Sequence, residues 1–277
     1  MEPEMDDYSI IKRLELKDSV MLAGWMDDAS DIGQRTLDYI IRQTECELCA
    51  EILPDTFFPM SGVSVVDDVA QFPECKFYSS QHRNLLVFRG NIPRMDWYRF
   101  LQAVIDVAQI YRVKEIYTVG AMVSVAAHTM PRILVAIANT AAVKSELEPY
   151  NVMTDSDFET PAGQKPTLSS YLAWLAGQRN ITAVNLWVPV PFYLVQAEDP
   201  RACKRLIYFF NDKYKLGVDF TGLDAEIASQ NRKMAALFQK SPVIESYVRR
   251  LETGEGLDAE QSEQLVNEVL EHLKKDG

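Results

Sequence analysis

The apolar positions in the first part of the chain form short continuous runs followed by longer stretches with helical spacing. Ser19–Trp25 is apolar almost throughout, which is typical of a strand covered on both faces. Ile10–Leu16 is predicted to be a further short strand. The helix that follows should place Leu37, Ile40 and Ile41 on one face. The chain therefore enters its core through a strand–turn–helix unit.

The clearest helix is predicted over Asp96–Arg112, where apolar residues recur at spacings of three and four. It lies between strand-like runs at Leu85–Phe88 and Ile116–Val119. A strand, a helix of this length and a second buried strand predict a right-handed βαβ unit with parallel strands. Further core elements are predicted as strand Ile133–Ala138, helix Thr167–Gln178 and strand Ala183–Val188. This alternation predicts an α/β fold with a mixed, mostly parallel sheet and helices on both faces.

Strand patterns stop at Asp199, and helix signals take over. Asp199 followed by Pro200 predicts a helix start, Thr221–Asp224 resembles a capping box, and Ser241–Pro242 begins another helix. Thr253–Gly256 is typical of a hinge before a last amphipathic helix. We therefore expect an acidic lead at 1–9, an α/β core domain at 10–220, a helical extension packed on the core at 221–252 and an amphipathic C-terminal helix at 253–277.

Composition narrows the classes of function. The formal net charge of the 277 residues is −12, which disfavours nucleic acid and anionic membranes as partners, because both need clustered Lys and Arg. The acidic start lacks the basic segment and apolar run of a secretory signal, and no stretch is apolar enough to span a membrane. Four scattered cysteines favour a reducing compartment. A cytoplasmic protein is expected.

The cysteines give no sign of a metal or redox centre. Cys46 and Cys49 form a lone CxxC pair without a second pair of ligands. They lie in a strand-like run, where residues three apart point to opposite faces. We interpret them as two packed thiols and expect neither a metal nor a cofactor.

The segment after the first buried strand is a candidate binding loop. Asp27 and Asp28 follow Gly24 and Trp25 at the carboxyl end of the strand, where α/β proteins bind ligands. Two carboxylates at a helix start would repel a phosphate. A hydroxyl, an amine or a divalent cation would suit Asp27, Asp28 and Asp31, and helix capping explains the same residues equally well.

His128 and the segment Leu186–Tyr193 are the other candidates. A histidine at the carboxyl edge of a strand could act as a general base, and a buried or loop histidine is the alternative. No nucleophile motif and no second metal-type histidine accompanies it. The aromatic and proline residues of Leu186–Tyr193 suit a pocket wall or a protein contact, and equally a sheet edge capped by rigid turns. No catalytic residue is assigned.

Several short motifs occur in an order that points to one family. They are Gly24-Trp25-x-Asp27-Asp28, Phe88-Arg89-Gly90-x-x-Pro93 with Trp97 and Phe100, Val119-Gly120-Ala121, His128-Thr129, Phe158–Gly163, Leu186-Trp187-x-x-Val190-Pro191-x-Tyr193 and Tyr247-Val248-x-x-Leu251-Glu252. In this order the chain resembles the proteasome assembly chaperone 2 family of bacteria and archaea over about Leu22–Glu252.

The chain departs from the family pattern at charged and histidine positions. Ile92 stands where the family has glutamate, Met130 where it has arginine, and Phe192 where it has histidine, while Thr160–Gly163 replaces Gly-Pro-Thr-Gly. If a family pocket performed chemistry with that glutamate and arginine, this member would be impaired.

The resemblance implies an α/β sandwich like that of nucleoside phosphorylases, self-assembly into a homo-oligomer with a trimer as the suggested number, and a chaperone or scaffold role with an unknown protein partner. Relatives that engage a proteasome end in hydrophobic-Tyr-x, whereas this chain ends Lys275-Asp276-Gly277. The residues of the candidate cleft are Trp25, Asp27, Asp28, Gly90, Pro93, His128, Thr129, Trp187 and Tyr193.

Two hypotheses follow. The first is a non-enzymatic, oligomeric assembly chaperone or scaffold, whose last helix has an apolar stripe wide enough to pack on a neighbour or a partner groove. The alternative is a small-molecule-binding protein, or a phosphorylase- or hydrolase-like enzyme, that uses the strand-end cleft near Trp25, Asp28 and His128.

Overall fold

A computed structural model describes residues 7–26, 31–59, 62–156, 159 and 163–274. The strands are β1 Tyr8–Ile10, β2 Ser19–Trp25, β3 Glu47–Ile52, β4 Ser64–Val66, β5 Val69–Gln71, β6 Cys75–Ser80, β7 Leu85–Gly90, β8 Val113–Ser124, β9 Leu134–Ala138, β10 Val152–Met153 and β11 Thr182–Pro191. The α-helices are α1 Ile32–Gln43, α2 Trp97–Ile110, α3 Ala142–Leu147, α4 Leu168–Gln178, α5 Pro200–Tyr214, α6 Thr221–Lys240, α7 Pro242–Glu252 and α8 Ala259–Lys274. No helix of these residues is both long and apolar enough to cross a bilayer.

Within the described residues, nine strands form one mixed sheet in the order β1-β3-β6-β7-β2-β8-β11-β9-β10, and β4 pairs with β5 in a separate hairpin. The central strands β7, β2, β8 and β11 are parallel to one another. Antiparallel pairs join β1, β3 and β6 to β7 on one side and β9 to β11 on the other. The predicted α/β class with a mixed sheet is confirmed.

The predicted βαβ unit is present as β7–α2–β8, and β2 lies between its two strands in the sheet. β2 pairs in parallel with both β7 and β8, so the helix α2 crosses over β2. All seven residues of β2 are buried, because helices cover this central strand from both sides. The continuous apolar run of Ser19–Trp25 is the sequence signature of that position.

Two local predictions need correction. The strand predicted over Ile10–Leu16 ends at Ile10, because the amides of Ile11 and Lys12 both donate to the Cys49 carbonyl and the ladder stops there. Thr221 does not cap α6 from outside: it is the first helical residue, and its amide and hydroxyl both donate to Asp219 Oδ1. The start of α5 is confirmed, since Asp199 Oδ1 accepts the Ala202 amide at 3.0 Å.

Two apolar layers flank the sheet, and they differ in how many helices cover them. The multi-helix face packs under α1, α3, α5, α6, α7 and α8. The two-helix face packs under α2 and α4. Alternation along β2 places Val20 and Leu22 in the first layer and Met21, Ala23 and Trp25 in the second. Side chains at the same sheet edge can therefore lie on opposite faces.

The C-terminal helices belong to the core of the multi-helix face. Leu265 and Val269 of α8 are fully buried in it, and α8 contacts α6, α7 and the turn Phe192–Leu194. The apolar stripe of the last helix is therefore covered by the chain itself.

Val269→Ala should lower the free energy of unfolding by about 2 kcal/mol, because two buried methyl groups leave a cavity between α8 and the body. Val243→Ala is the matched control, since Val243 of α7 is exposed. Urea unfolding of both variants checks this. If the two variants lost the same free energy of unfolding, the contacts of Val269 with the core would not contribute to stability.

Candidate functional site

The candidate residues lie along the carboxyl edge of the parallel strands, where β2 ends at Trp25, β7 at Gly90 and β11 at Pro191. Asp27 and Asp28 lie outside the described residues. The sheet separates the others by face. Trp25 belongs to the two-helix face, whereas Tyr193 and the ring of His128, which contacts Phe238, lie on the multi-helix face. The structure therefore does not bring Trp25 and His128 together.

Trp25 anchors an aromatic cluster on the two-helix face. Its ring contacts Phe88 and Phe100 with centroid distances of 5.6 and 6.3 Å, and Phe57 and Phe58 also contact Phe100. Its indole Nε1 donates to Ser169 Oγ at 2.8 Å, at the start of α4. Trp25 is 8% exposed, so it ties β2 to α2 and α4 and presents little surface to a ligand.

Gly90 and Pro93 shape the turn that leads from β7 into α2. A Cβ on Gly90 would lie 2.9 Å from both Cys75 Sγ and the Phe88 ring, so glycine is required by the close approach of β6. The Pro93 carbonyl accepts the indole N–H of Trp97 at 2.8 Å. Gly90 and Pro93 thus both help to position α2.

Trp187 lies in β11, opposite Gly120 of β8 and Val135 of β9. Its neighbours Leu186 and Val188 belong to the multi-helix face. By strand alternation the half-buried Trp187 ring points to the two-helix face. It is thus separated by the sheet from the tyrosine of its own motif.

His128 and Tyr193 form a paired contact on the multi-helix face. The Tyr193 hydroxyl accepts the His128 backbone N–H at 2.7 Å and lies 2.9 Å from its Nδ1. One hydrogen bond therefore joins the imidazole Nδ1 and the phenol, in addition to the backbone contact. Burial, with Arg132 and Arg201 nearby, lowers the pKa of His128 to about 4, and burial raises the pKa of Tyr193. Both groups are held neutral as a structural cross-link.

Two further side chains, those of Arg132 and Thr129, hold the same loop. Arg132 Nη2 lies 2.9 Å from Asp199 Oδ2, and both side chains are buried. The other guanidinium nitrogen Nη1 donates to the carbonyls of Ala127 and Met130. Exposed Thr129 donates its hydroxyl to Glu252 Oε1 at 2.5 Å, which links the loop to the end of α7. The segment 127–132 is thus fixed to α5, α7 and the turn after β11.

A sizeable cavity lies apart from these groups. It has a volume of about 690 Å³ and lies between the start of α1, the segment after β11 and helices α6 and α8. Arg35 in its wall pairs with Glu198 at 2.8 Å and with Glu226. The wall charges thus largely compensate one another. Asp31, whose carboxylate was one of the predicted ligands, lies in the wall of this cavity and not beside the Trp25 cluster.

Sequence reasoning missed Arg35, Arg132 and Glu252 as members of this edge. Arg132 carried a weak signal, because it stands two residues after the position where the family has arginine. The two thiols of the CxxC motif are packed as predicted: Cys46 packs on the multi-helix face, and Cys49 is buried on the two-helix face. Burial raises the pKa of the Cys46 thiol to about 11, which suppresses its reactivity.

Comparison with known proteins adds a family match. The model of the PAC2 family matches residues 21–237. No curated protein matches the sequence.

Solved structures share the fold. A Mycobacterium tuberculosis protein of unknown function, Rv2714, superposes with a TM-score of 0.72 at 20% identity, covering 92% of this chain and 90% of its own. The M. tuberculosis proteasome-assembly chaperone homologue Rv2125 gives 0.66 at 19% identity, covering 78% and 94%. Pyrococcus furiosus PbaB, an archaeal proteasome activator, gives 0.66 at 17% identity, covering 84% and 99%. At these identities the similarity establishes the fold.

The buried His128 predicts a specific pH dependence. Its pKa of about 4 lies below the ordinary value of 6.5, so the unfolded chain binds the proton more tightly and stability falls as pH drops from about 6.5 towards 4. Between pH 7 and pH 4.5 this group should contribute a loss of about 2–3 kcal/mol.

His128→Asn should remove that part of the loss in urea unfolding at the two pH values. The same substitution at exposed His82 should leave the wild-type difference in place. A His128→Asn variant with the full wild-type difference would show that His128 is not buried in its neutral form.

Proposed function

The chain belongs to the PAC2 family, and from this membership we propose that it is a non-enzymatic, homo-oligomeric assembly factor, a chaperone-like scaffold that holds a partner protein during assembly. The family match covers most of the chain. Among proteins of the same fold, one is a proteasome-assembly chaperone homologue and another is a proteasome activator. These relatives make proteasome subunits the first class of partner to examine.

The geometry at the strand edge supports a role without turnover. A general base must reach a substrate, and Nδ1 of His128 is occupied by its hydrogen bond with the Tyr193 hydroxyl. His128 is 3% exposed, and its low pKa weakens it as a base near neutral pH. Of the described motif residues, Trp25, Gly90 and Pro93 position β2 and α2, and His128 and Tyr193 hold a loop in place.

The alternative, a small-molecule site that uses Trp25, Asp28 and His128 together, has less support. Trp25 and His128 lie on opposite faces of the sheet, and Asp28 is outside the described residues. The cavity of about 690 Å³ next to α1 contains neither Trp25 nor His128 in its wall.

Deletion of the gene in the native host tests the proposal. An assembly factor should be needed for one multi-subunit complex, so its loss should leave subunits of that complex at unassembled mass in native size separation. Proteasome subunits are the first to follow. The wild-type chain supplied in trans should restore the assembled complex.

His128→Asn and Asp28→Asn supply the discriminating control. A scaffold should restore assembly fully with either variant, whereas an enzyme that uses these groups should not. The proposal fails if every complex assembles normally without the chain, or if these variants fold normally and do not restore assembly.

A further inference from the structure

The outer surface of the two-helix face carries exposed aromatic side chains. Trp97 and Tyr98 at the start of α2 are 38% and 47% exposed, and Trp174 of α4 is 52% exposed. Tyr171 joins them: it stacks on Trp174 at 5.5 Å and lies 6.1 Å from Tyr98 between ring centroids. Tyr98 and Trp174 also line a groove of about 200 Å³ between the two helices, together with Arg179.

The hairpin β4–β5 adds a second exposed apolar element. Val65, Val69 and Phe72 are 70%, 57% and 65% exposed. Asp67 and Asp68 form its turn, both with left-handed backbone (φ 50° and 62°), as a tight two-residue hairpin turn requires. Among the described residues this hairpin pairs with no other strand. An isolated two-stranded hairpin is marginally stable in water and gains stability when its apolar face is covered.

The hairpin and the aromatic groove lie on the same side of the sheet. A Cβ on Gly62, just before β4, would lie 3.8 Å from Phe58 Cβ, and the Phe58 ring lies 6.5 Å from the Phe100 ring of α2 between centroids. The Arg94 amide, just before α2, donates to the Phe57 carbonyl. The base of the hairpin therefore adjoins the end of α2 that carries Trp97 and Tyr98.

We propose that the hairpin of one copy of this chain packs on the α2–α4 groove of a second copy. This contact rests on the oligomeric part of the proposed function and names the surface that would carry it. Its two halves are the hairpin residues Val65, Val69 and Phe72 and the groove residues Tyr98, Trp174 and Arg179.

Charge favours a second copy as the occupant. The chain has a net charge of −12, so most approaches of two copies are repulsive. The hairpin tip is acidic through Asp67 and Asp68, and the groove contains the half-exposed guanidinium of Arg179, which lies 4.0 Å from the Asp106 carboxylate. Arg179 is thus the group in the groove that the acidic tip of a second copy can pair with, in competition with Asp106. A head-to-tail contact of this kind can close into a ring.

The exposed area also suits such a contact. The exposed fractions of Phe72, Trp97, Tyr98 and Trp174, at about 200 Å² per aromatic side chain, correspond to about 400 Å² of aromatic surface. A standard interface takes about 800 Å² from each partner. The aromatic rings supply about half of that area, and the hairpin valines and the polar rim add to it.

Sedimentation velocity over a range of concentrations tests the surface with three matched variants. Phe72→Ser alters the hairpin, Trp174→Ser alters the groove, and Tyr208→Ser is the control on the exposed side of α5, where Tyr208 is 54% exposed. The wild type should have a mass that is a multiple of 31.5 kDa. Phe72→Ser and Trp174→Ser should each weaken association at least about tenfold, and Tyr208→Ser should match the wild type.

The outcomes separate this contact from the wider function. If the wild type is oligomeric and Phe72→Ser and Trp174→Ser keep its mass, the surface is wrong and the oligomer stands. If the wild type is monomeric at every concentration, both the contact and the oligomeric part of the proposed function are wrong. The assembly role is then decided by the deletion experiment. Circular dichroism of the variants confirms that each is folded, as expected for exposed positions.

Discussion

The arrangement of the strand edge depends on one buried ion pair, Arg132 with Asp199. Two buried charges are costly unless hydrogen bonds satisfy their remaining donors and acceptors. Here Asp199 also caps α5, and Arg132 also binds the carbonyls of Ala127 and Met130. The pair therefore selects one conformation of the loop after β8. In that conformation His128 lies in contact with Tyr193.

The two faces of the sheet differ in the number of helices that cover them. On the multi-helix face, six helices and the cross-linked loop cover the sheet, and the stripe of α8 is packed inside. On the two-helix face, α2 and α4 pack their buried residues on the sheet and expose Trp97, Tyr98 and Trp174 to solvent. A scaffold works through such a persistent surface, because binding needs no reactive group when aromatic side chains are already positioned.

Sequence reasoning reached the elements whose signals are local. Ser19–Trp25 was predicted as a central strand because burial on both faces leaves a continuous apolar run, and Asp199 as a cap because capping needs one residue. Contacts between distant residues had no such signal: His128 and Tyr193 are 65 residues apart, and Arg132 and Asp199 are 67 apart. Trp25 and His128 were expected in one cleft because Trp25 ends one buried strand and His128 follows another. The face on which a side chain lies depends on register, which position along the chain does not reveal.

Hydrogen–deuterium exchange at low and high protein concentration is the most direct test. It measures whether the loop 127–132 is held rigidly at the strand edge while the β4–β5 hairpin is free to bind a second copy. The account predicts that the His128 amide exchanges slowly at both concentrations, since Tyr193 accepts it inside the core. The hairpin amides at 64–71 should become protected only at high concentration, where a second copy covers them. Rapid exchange at His128, or hairpin protection that does not change with concentration, would contradict the account.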